Sequence, residues 1–278
     1  MNVLYCGDGN IERGLIISVM SLLKNVSDEL HVWVVTAEMD FNGKHISPVK
    51  EDVISSLSEY MWGYNCLNSI TLIDVTEHFK KEVPTVNMGT RFTPFCMLRL
   101  FSDEVPEIPD KIMYLDNDVI CRSDPSEFYN QDMTDYELAG VLDYYGGWLF
   151  RRNPFKRDYV NSGVLLMNMA KIRETGLFKK CRKRCCEKQM FMPDQSAINK
   201  LAVSKKICPR RFNEQRKLRS DTVMQHFTTS FRFFPYIRTV TVKPWDIERL
   251  HEVLKLNEYD DLLSEYITFY ESIVKNRQ

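Results

Sequence analysis

Strand-like and helix-like segments alternate from the first residues of this chain, and that alternation constrains its fold more than any other feature. Val3–Cys6 reads as a strand, and Gly14–Leu23 as a helix with Leu15, Val19, Leu22 and Leu23 among its apolar positions. Valine-rich Leu30–Thr36 is a second strand, Val49–Met61 an amphipathic helix and Ser69–Asp74 a third strand. Pro94–Phe101 reads as a helix opened by its proline, and Ile112–Leu115 as a fourth strand. Parallel strands need crossover connections, usually helices. The order therefore implies a mostly parallel central sheet flanked by helices on both faces, an α/β fold.

The bulk numbers exclude several classes. With 278 residues the chain suits one large domain with a substantial core. Lys plus Arg total 37 and Asp plus Glu 38, a balance that argues against whole-surface attraction to nucleic acid. No apolar run approaches the roughly 18 residues of a membrane helix. Met1 leads straight into Val3–Cys6 without a basic stretch or cleavage site, so no secretory signal is expected. In that setting the eight cysteines read as reduced thiols. Cys181, Cys185, Cys186 and Cys208 do not have the spacing of paired zinc knuckles.

Beyond the fourth strand the pattern changes. Leu138–Asp143 and Tyr159–Asn168 are apolar strands, and the aromatic, basic segment Tyr144–Arg157 between them is expected to form a loop near the site. Ile172–Gln189 reads as one helix whose basic run, Lys179–Arg184, is a solvated face. Asp194–Leu201 is a short helix with Asp194 at its N-cap. From Asp246 the pattern is helical and charged to the end, so residues 1–245 are expected to form the domain and 246–278 a helical extension of it.

The candidate chemistry lies at the end of the fourth strand. Asp116 and Asp118 follow Ile112–Leu115, and ligands in open α/β sheets bind beyond the carboxyl ends of strands. Two carboxylates one residue apart can reach one hard cation, and Mg²⁺ sites commonly combine carboxylates with substrate phosphates. A metal–diphosphate site is the reading. Asp8 and Asn10 follow the first strand, where a nucleotide is expected in this architecture, although Asp-Gly-Asn is also a turn former.

Five motifs, in order, then make the chain resemble glycosyltransferase family 8, retaining enzymes of the GT-A type that use nucleotide sugars. They are Tyr5-Cys6-Gly7-Asp8-Gly9-Asn10, Phe95-Cys96-Met97-Leu98-Arg99-Leu100, Tyr114-Leu115-Asp116-Asn117-Asp118, the run Tyr159 to Asn168, and Pro193-Asp194-Gln195-Ser196-Ala197-Ile198-Asn199. His226 and Lys243-Pro244-Trp245 complete the pattern. The resemblance implies a metal held by Asp116, Asp118 and His226, with Mn²⁺ or Mg²⁺ as the cofactor. It implies a UDP-hexose donor contacted by Asp8, Asn10, Arg99, Asn117 and Lys243. It puts Asp143, Asn161, Asp194 and Gln195 around the transferred sugar. Two departures stand out. Ile11 occupies a position where the family often stacks an aromatic on the base, and sixteen residues, Phe227 to Val242, separate His226 from Lys243. This insertion is either a lid over the site or extra strands in the core.

The expectation is a metal-dependent retaining transferase moving glucose or galactose to a glycan, glycolipid or protein acceptor. It would be cytoplasmic, meeting such an acceptor by peripheral contact at the inner membrane face, with no nucleic-acid partner and the oligomeric state left open. Two alternatives remain at this point: a catalytically silent glycan- or partner-binding member of the same fold, and a sugar nucleotidyltransferase. The latter usually carries a basic glycine-rich loop after the first strand, which Gly7–Arg13 is not.

Overall fold

The computed structural model describes residues 1–41, 43–88, 94–144, 158–232 and 238–277. Among these residues thirteen strands follow one another: β1 Asn2–Cys6, β2 His31–Thr36, β3 Met39–Phe41, β4 Lys44–Ile46, β5 Ser69–Asp74, β6 Lys111–Leu115, β7 Val119–Cys121, β8 Leu138–Leu142, β9 Val160–Asn168, β10 Lys205–Cys208, β11 Met224–His226, β12 Ser230–Arg232 and β13 Arg238–Val240. Seven form the central sheet, in the order β10-β8-β9-β6-β1-β2-β5. All its pairings are parallel except those of β9, which runs against both β6 and β8.

The period of two along each strand divides the core. Val3 and Tyr5 of β1, with Met113 and Leu115 of β6, face one hydrophobic cluster that also holds Leu15, Val19 and Leu22 of the Glu12–Leu23 helix. Leu4, Ile112 and Tyr114 face the other, with Phe79, Phe95, Leu98 and Phe178. Helices thus cover both faces, as buried parallel strands require. The terminal helix Asp260–Asn276 joins the first cluster through Leu262, Leu263, Tyr266 and Ile273. No helix among the described residues is long and apolar enough to cross a membrane.

Several elements differ from the sequence pattern. The expected helix Ile172–Gln189 is two helices, Met169–Thr175 and Leu177–Glu187, because Gly176 takes φ 64° between them. Its basic run is not wholly solvated. Arg182 is buried, its guanidinium held by Glu82, Asp103 and Glu104. Pro94–Glu104 is a 3₁₀ helix of 11 residues. Three residues per turn stack Cys96, Arg99 and Ser102 in one column, where Arg99 Nε donates to the Cys96 carbonyl (3.3 Å) and Ser102 Oγ to that of Arg99 (2.7 Å). Asp194 is not an N-cap. Pro193 begins that helix after Met192, and the Asp194 carboxylate turns inward. The tail is helical in pieces: a helical turn over Leu250–Leu254 ends at Lys255, φ 54°, before the helix Asp260–Asn276. Cys181 and Cys185 lie in one hydrophobic cluster and Cys208 in the other, so the thiols do not converge.

Candidate active site

The reversed direction of β9 builds the site. Leu115 pairs with Val164, so the start of β9 lies beside the end of β6, and the Asp116 amide donates to the Gly163 carbonyl (2.8 Å). β1 ends at the same edge, delivering Gly7 and Asp8. β11 pairs with β7 so that His226 opposes Val119, the residue after Asp118. Four separate chain segments, the ends of β1 and β6, the first half of β9, and β11, therefore converge where the parallel strands end, as expected of an open α/β sheet.

Asp116, Asp118 and His226 offer ligand atoms that all lie within 4.8 Å of one another, the one such group of His, Cys, Asp and Glu side chains among the described residues. His226 Nε2 is 3.2 Å from Asp118 Oδ1 and 3.5 Å from Asp116 Oδ2. The other oxygen of Asp116 is already engaged: Oδ1 accepts from Arg99 Nη2 (2.8 Å) and the Tyr114 hydroxyl (2.7 Å). Asp116 thus presents Oδ2 inward. Two carboxylates and one imidazole suit Mn²⁺ or Mg²⁺. Gly163 makes the convergence sterically possible, because a Cβ there would stand 2.1 Å from His226 Cε1 and 2.7 Å from Asp116 Oδ2.

A buried hydrogen-bond chain orients His226. The Gly163 amide donates to Asn161 Oδ1 (3.0 Å), which fixes that atom as oxygen. Asn213 Nδ2 must then be the donor to it (3.0 Å), so Asn213 Oδ1 faces His226 Nδ1 (3.2 Å). Nδ1 carries hydrogen and Nε2 is left for the carboxylates or for a cation between them. The chain continues along the cavity wall, where Asn161 Nδ2 (2.9 Å) and Gln195 Nε2 (3.1 Å) donate to Asp143 Oδ2. Gln195 Oε1 accepts from the Ser162 amide (2.9 Å) and hydroxyl (3.2 Å). Asn213, wholly buried, was not legible as a site residue. It sits in Phe212-Asn213-Glu214-Gln215, which carries no periodic pattern or motif spacing.

Charge is concentrated here. Burial opposes the Arg99 charge, but Tyr114, Asp116 and Asp194 hold its pKa above the ordinary value. Its guanidinium lies 3.9 Å over the Tyr114 ring, and Nε is 3.1 Å from Asp194 Oδ2. Burial pushes the Asp194 carboxyl up despite Arg99. Burial opposes ionisation of Asp118 too, yet Lys243 and His226 hold it well below the usual carboxylate range. Lys243 Nζ donates to Asp118 Oδ2 and to the Phe227 carbonyl (3.1 Å).

One cavity of about 340 Å³ gathers these groups. Its wall includes Asp8, Arg99, Asn117, Asp143, Asn161, Asp194, Gln195 and Lys243 together with the acidic pair and His226. Asn10 is not in that wall. It is exposed in a 3₁₀ turn, where its amide donates to Asp8 Oδ1 (2.9 Å). Asp8 Oδ2 is buried with no hydrogen-bond partner among the described residues. Asn117 packs its Nδ2 and carbonyl against Gly14 beside Trp245, so Gly14 gives the Asp116–Asp118 turn room on the first helix. Ile11 lines the cavity and packs onto Gly7. Of the Phe227–Val242 insertion, Phe227 and Val242 are core residues and β12 and β13 form a separate antiparallel hairpin, while 233–237 lie outside the described residues. The expected loop over 145–157 also lies outside them.

Known proteins resemble this arrangement. A lipopolysaccharide 1,2-glucosyltransferase of Escherichia coli is 22% identical over 296 residues, covering 94% of this chain and 84% of that protein. A Haemophilus influenzae protein assigned to the glycosyltransferases is 24% identical over 191 residues, a match spanning 65% of this chain but only 52% of the relative. Among solved structures, the galactosyltransferase LgtC in complex with donor and acceptor sugar analogs superposes with TM-score 0.63 at 19% identity, over 95% of this chain and all of that one. The bifunctional glycosyltransferase WbbM gives TM-score 0.70 at 15% identity, over 98% of this chain and 51% of its own. The fold is of the GT-A type these structures share. The model of the family described as Glycosyl transferase family 8 matches residues 2–248, and the chain belongs to that family.

Proposed function

We propose that the chain is a metal-dependent, retaining hexosyltransferase that takes glucose or galactose from a UDP-sugar and adds it to a glycan or glycolipid acceptor. One observation carries this reading: an unpartnered buried carboxylate oxygen, Asp8 Oδ2, and a three-ligand set for a divalent cation line the same cavity. A buried acceptor without a partner is costly unless a ligand satisfies it. Uracil offers a ring N–H to such an atom, as guanine does, whereas cytosine and adenine offer a bare ring nitrogen. Asp116, Asp118 and His226 would hold Mn²⁺ or Mg²⁺, which as a Lewis acid would neutralise charge on a diphosphate leaving group.

The remaining residues have assignable roles in this proposal. Lys243 supplies a further positive charge beside the acidic pair. Arg99 anchors Asp116 and Asp194 at once, so it holds the metal side and the sugar side in one register. Asp143, Asn161 and Gln195 present a connected polar wall to sugar hydroxyls. Gln195 Oε1 is engaged twice by Ser162, and Asp194 is tied to Arg99. Neither is poised as a nucleophile. Retention by acceptor attack on the leaving-group side is the reading this favours.

The named relatives support a saccharide acceptor, and eight free thiols suit a reducing compartment such as the cytosol. Residues 246–278 are read as an extension of the same domain, since the terminal helix shares its core. The test is nucleoside diphosphate release from UDP-glucose, UDP-galactose, UDP-N-acetylglucosamine and GDP-mannose, with Mn²⁺ or with chelator. Slow Mn²⁺-dependent hydrolysis of UDP-glucose or UDP-galactose is expected. Equal release with chelator, or turnover only of a non-uridine sugar nucleotide, would overturn the proposal.

A further inference from the structure

A second cavity of about 390 Å³ adjoins the first. The two share Gln215, His226 and Thr228. This common wall is firmly built. Gln215 Nε2 donates to the Leu142 carbonyl (3.0 Å), its Oε1 accepts from the Tyr144 amide (2.9 Å), and Thr228 Oγ1 donates to the Gln215 carbonyl (3.4 Å). The rest of the lining is mostly apolar or basic, with Gln225 and Ser230 as its neutral polar members. Leu218, Val240, Val242, Val253, Leu254 and Leu256 are apolar, and the charged residues are Arg216, Lys217 and Lys255.

The charge is one-sided. Among the described residues no Asp or Glu lines this cavity. Most other cations near the site are paired: Arg99 with Asp116 and Asp194, Lys243 with Asp118, Arg210 with Glu214. Arg216, Lys217 and Lys255 have no ion-pair partner among the described residues. Arg216 instead lies over the Tyr144 ring (4.3 Å), which leaves its N–H edge available. Lys255 is the one non-glycine residue among the described ones at positive φ. Backbone in that region is sparsely populated and clusters at functional sites. Walls of a single sign focus potential and raise the local concentration of the opposite charge.

We propose that this cavity receives an anionic substituent, phosphate or carboxylate, of the acceptor sugar. The inference rests on the reading of the first cavity as the donor site, and it names the acceptor class for that site: a charged glycan rather than a neutral one. The two cavities meet at Gln215, His226 and Thr228, so an acceptor whose attacking hydroxyl lies in the first cavity would extend its anionic substituent into the second. The apolar side chains of Val253, Leu254 and Leu256 provide a surface for a sugar ring face.

The test uses glucose 6-phosphate, glucuronate and methyl glucoside as probes, with binding read by saturation-transfer NMR at saturating UDP and Mn²⁺. The comparison is with the variant carrying Arg216→Gln, Lys217→Gln and Lys255→Gln. These three residues are exposed, so the fold should persist, and thermal unfolding checks that. At least one charged sugar should bind the native protein about tenfold more tightly than methyl glucoside, with preference lost in the variant. UDP affinity should change less than about twofold. Tighter binding of the phosphate alone, or of the uronate alone, identifies which anion the acceptor carries. Equal binding of charged and neutral sugars to the native protein would overturn the proposal. So would a loss of UDP affinity in the variant matching the loss of sugar binding, which would assign the cations to the donor. If the native protein fails to bind UDP, the donor-site reading falls, and sugar preference measured without UDP still decides the cavity.

Discussion

His226 Nδ1 lies 3.2 Å from Asn213 Oδ1, and that contact decides which imidazole nitrogen faces the acidic pair. The orientation traces back to a single backbone donor, the Gly163 amide, through two asparagine side chains. Outer partners of this kind set the tautomer and ring position of a ligating histidine.

Asn213→Ala should therefore weaken Mn²⁺ binding by about 10- to 100-fold, the usual consequence of losing such a partner. Asn213→Asp keeps an acceptor for Nδ1–H and should retain most of the affinity. Isothermal titration of Mn²⁺ into the three proteins checks this, and unchanged affinity in Asn213→Ala would reject the assignment.

Gly163→Ala should remove metal binding outright. Its Cβ would have to occupy space 2.1 Å from His226 Cε1, with strand backbone on one side and a buried ring on the other. Overpacking of that sort costs about 1–3 kcal/mol of stability. The expected result is a folded protein with a lowered Tm and no Mn²⁺-dependent change on adding UDP. Native metal affinity in this variant would show that the site can relax and is not assembled as described.

The Asp8 carboxylate gives a third outcome. Asp8→Asn can keep its cap on the Asn10 amide while the second position becomes a donor rather than an acceptor. A hydrogen bond involving a charged group is worth about 1.5–3 kcal/mol. UDP affinity should fall by about 10- to 100-fold, with Mn²⁺ affinity retained. Calorimetry that finds no loss of UDP affinity would remove Asp8 from the nucleotide site.

Asp194 predicts a pH dependence of stability. Burial raises its folded pKa above the unfolded value despite Arg99. The folded state therefore binds this proton more tightly, and the stability linked to the protonated form is lost as pH rises through the folded pKa. Asp194→Asn, which stays neutral, should raise Tm at pH 7.5 to 8.5 relative to the native protein, with the gain shrinking towards about pH 4. A lower Tm for Asp194→Asn across this range would mean that the Arg99 ion pair outweighs burial.

The sheet was legible because Val3–Cys6 and Ile112–Leu115 are short continuous apolar runs, as strands covered on both faces must be, and because the helical period in Gly14–Leu23 reports burial on one side. Asp116 and Asp118 were legible because a strand end is a fixed position in this architecture. Gly176 was missed as a helix break, since one glycine inside a long helical pattern is ordinarily tolerated. Arg182 was read as part of a solvated run, although its acidic partners come from Glu82, Asp103 and Glu104, far away in sequence. Asn213 escaped for the same reason. Its two partners, Asn161 and His226, meet only when β9 and β11 are folded together.

The central claim is that a divalent cation held by Asp116, Asp118 and His226 joins the protein to a nucleoside diphosphate. Isothermal titration of UDP into the native protein, with Mn²⁺ and then with chelator, tests it most directly, with Asp118→Asn alongside. The account predicts tight binding with Mn²⁺, a loss of at least about tenfold with chelator, and the same weak binding in Asp118→Asn whether or not metal is present. Equal UDP affinity with and without metal in the native protein would contradict it.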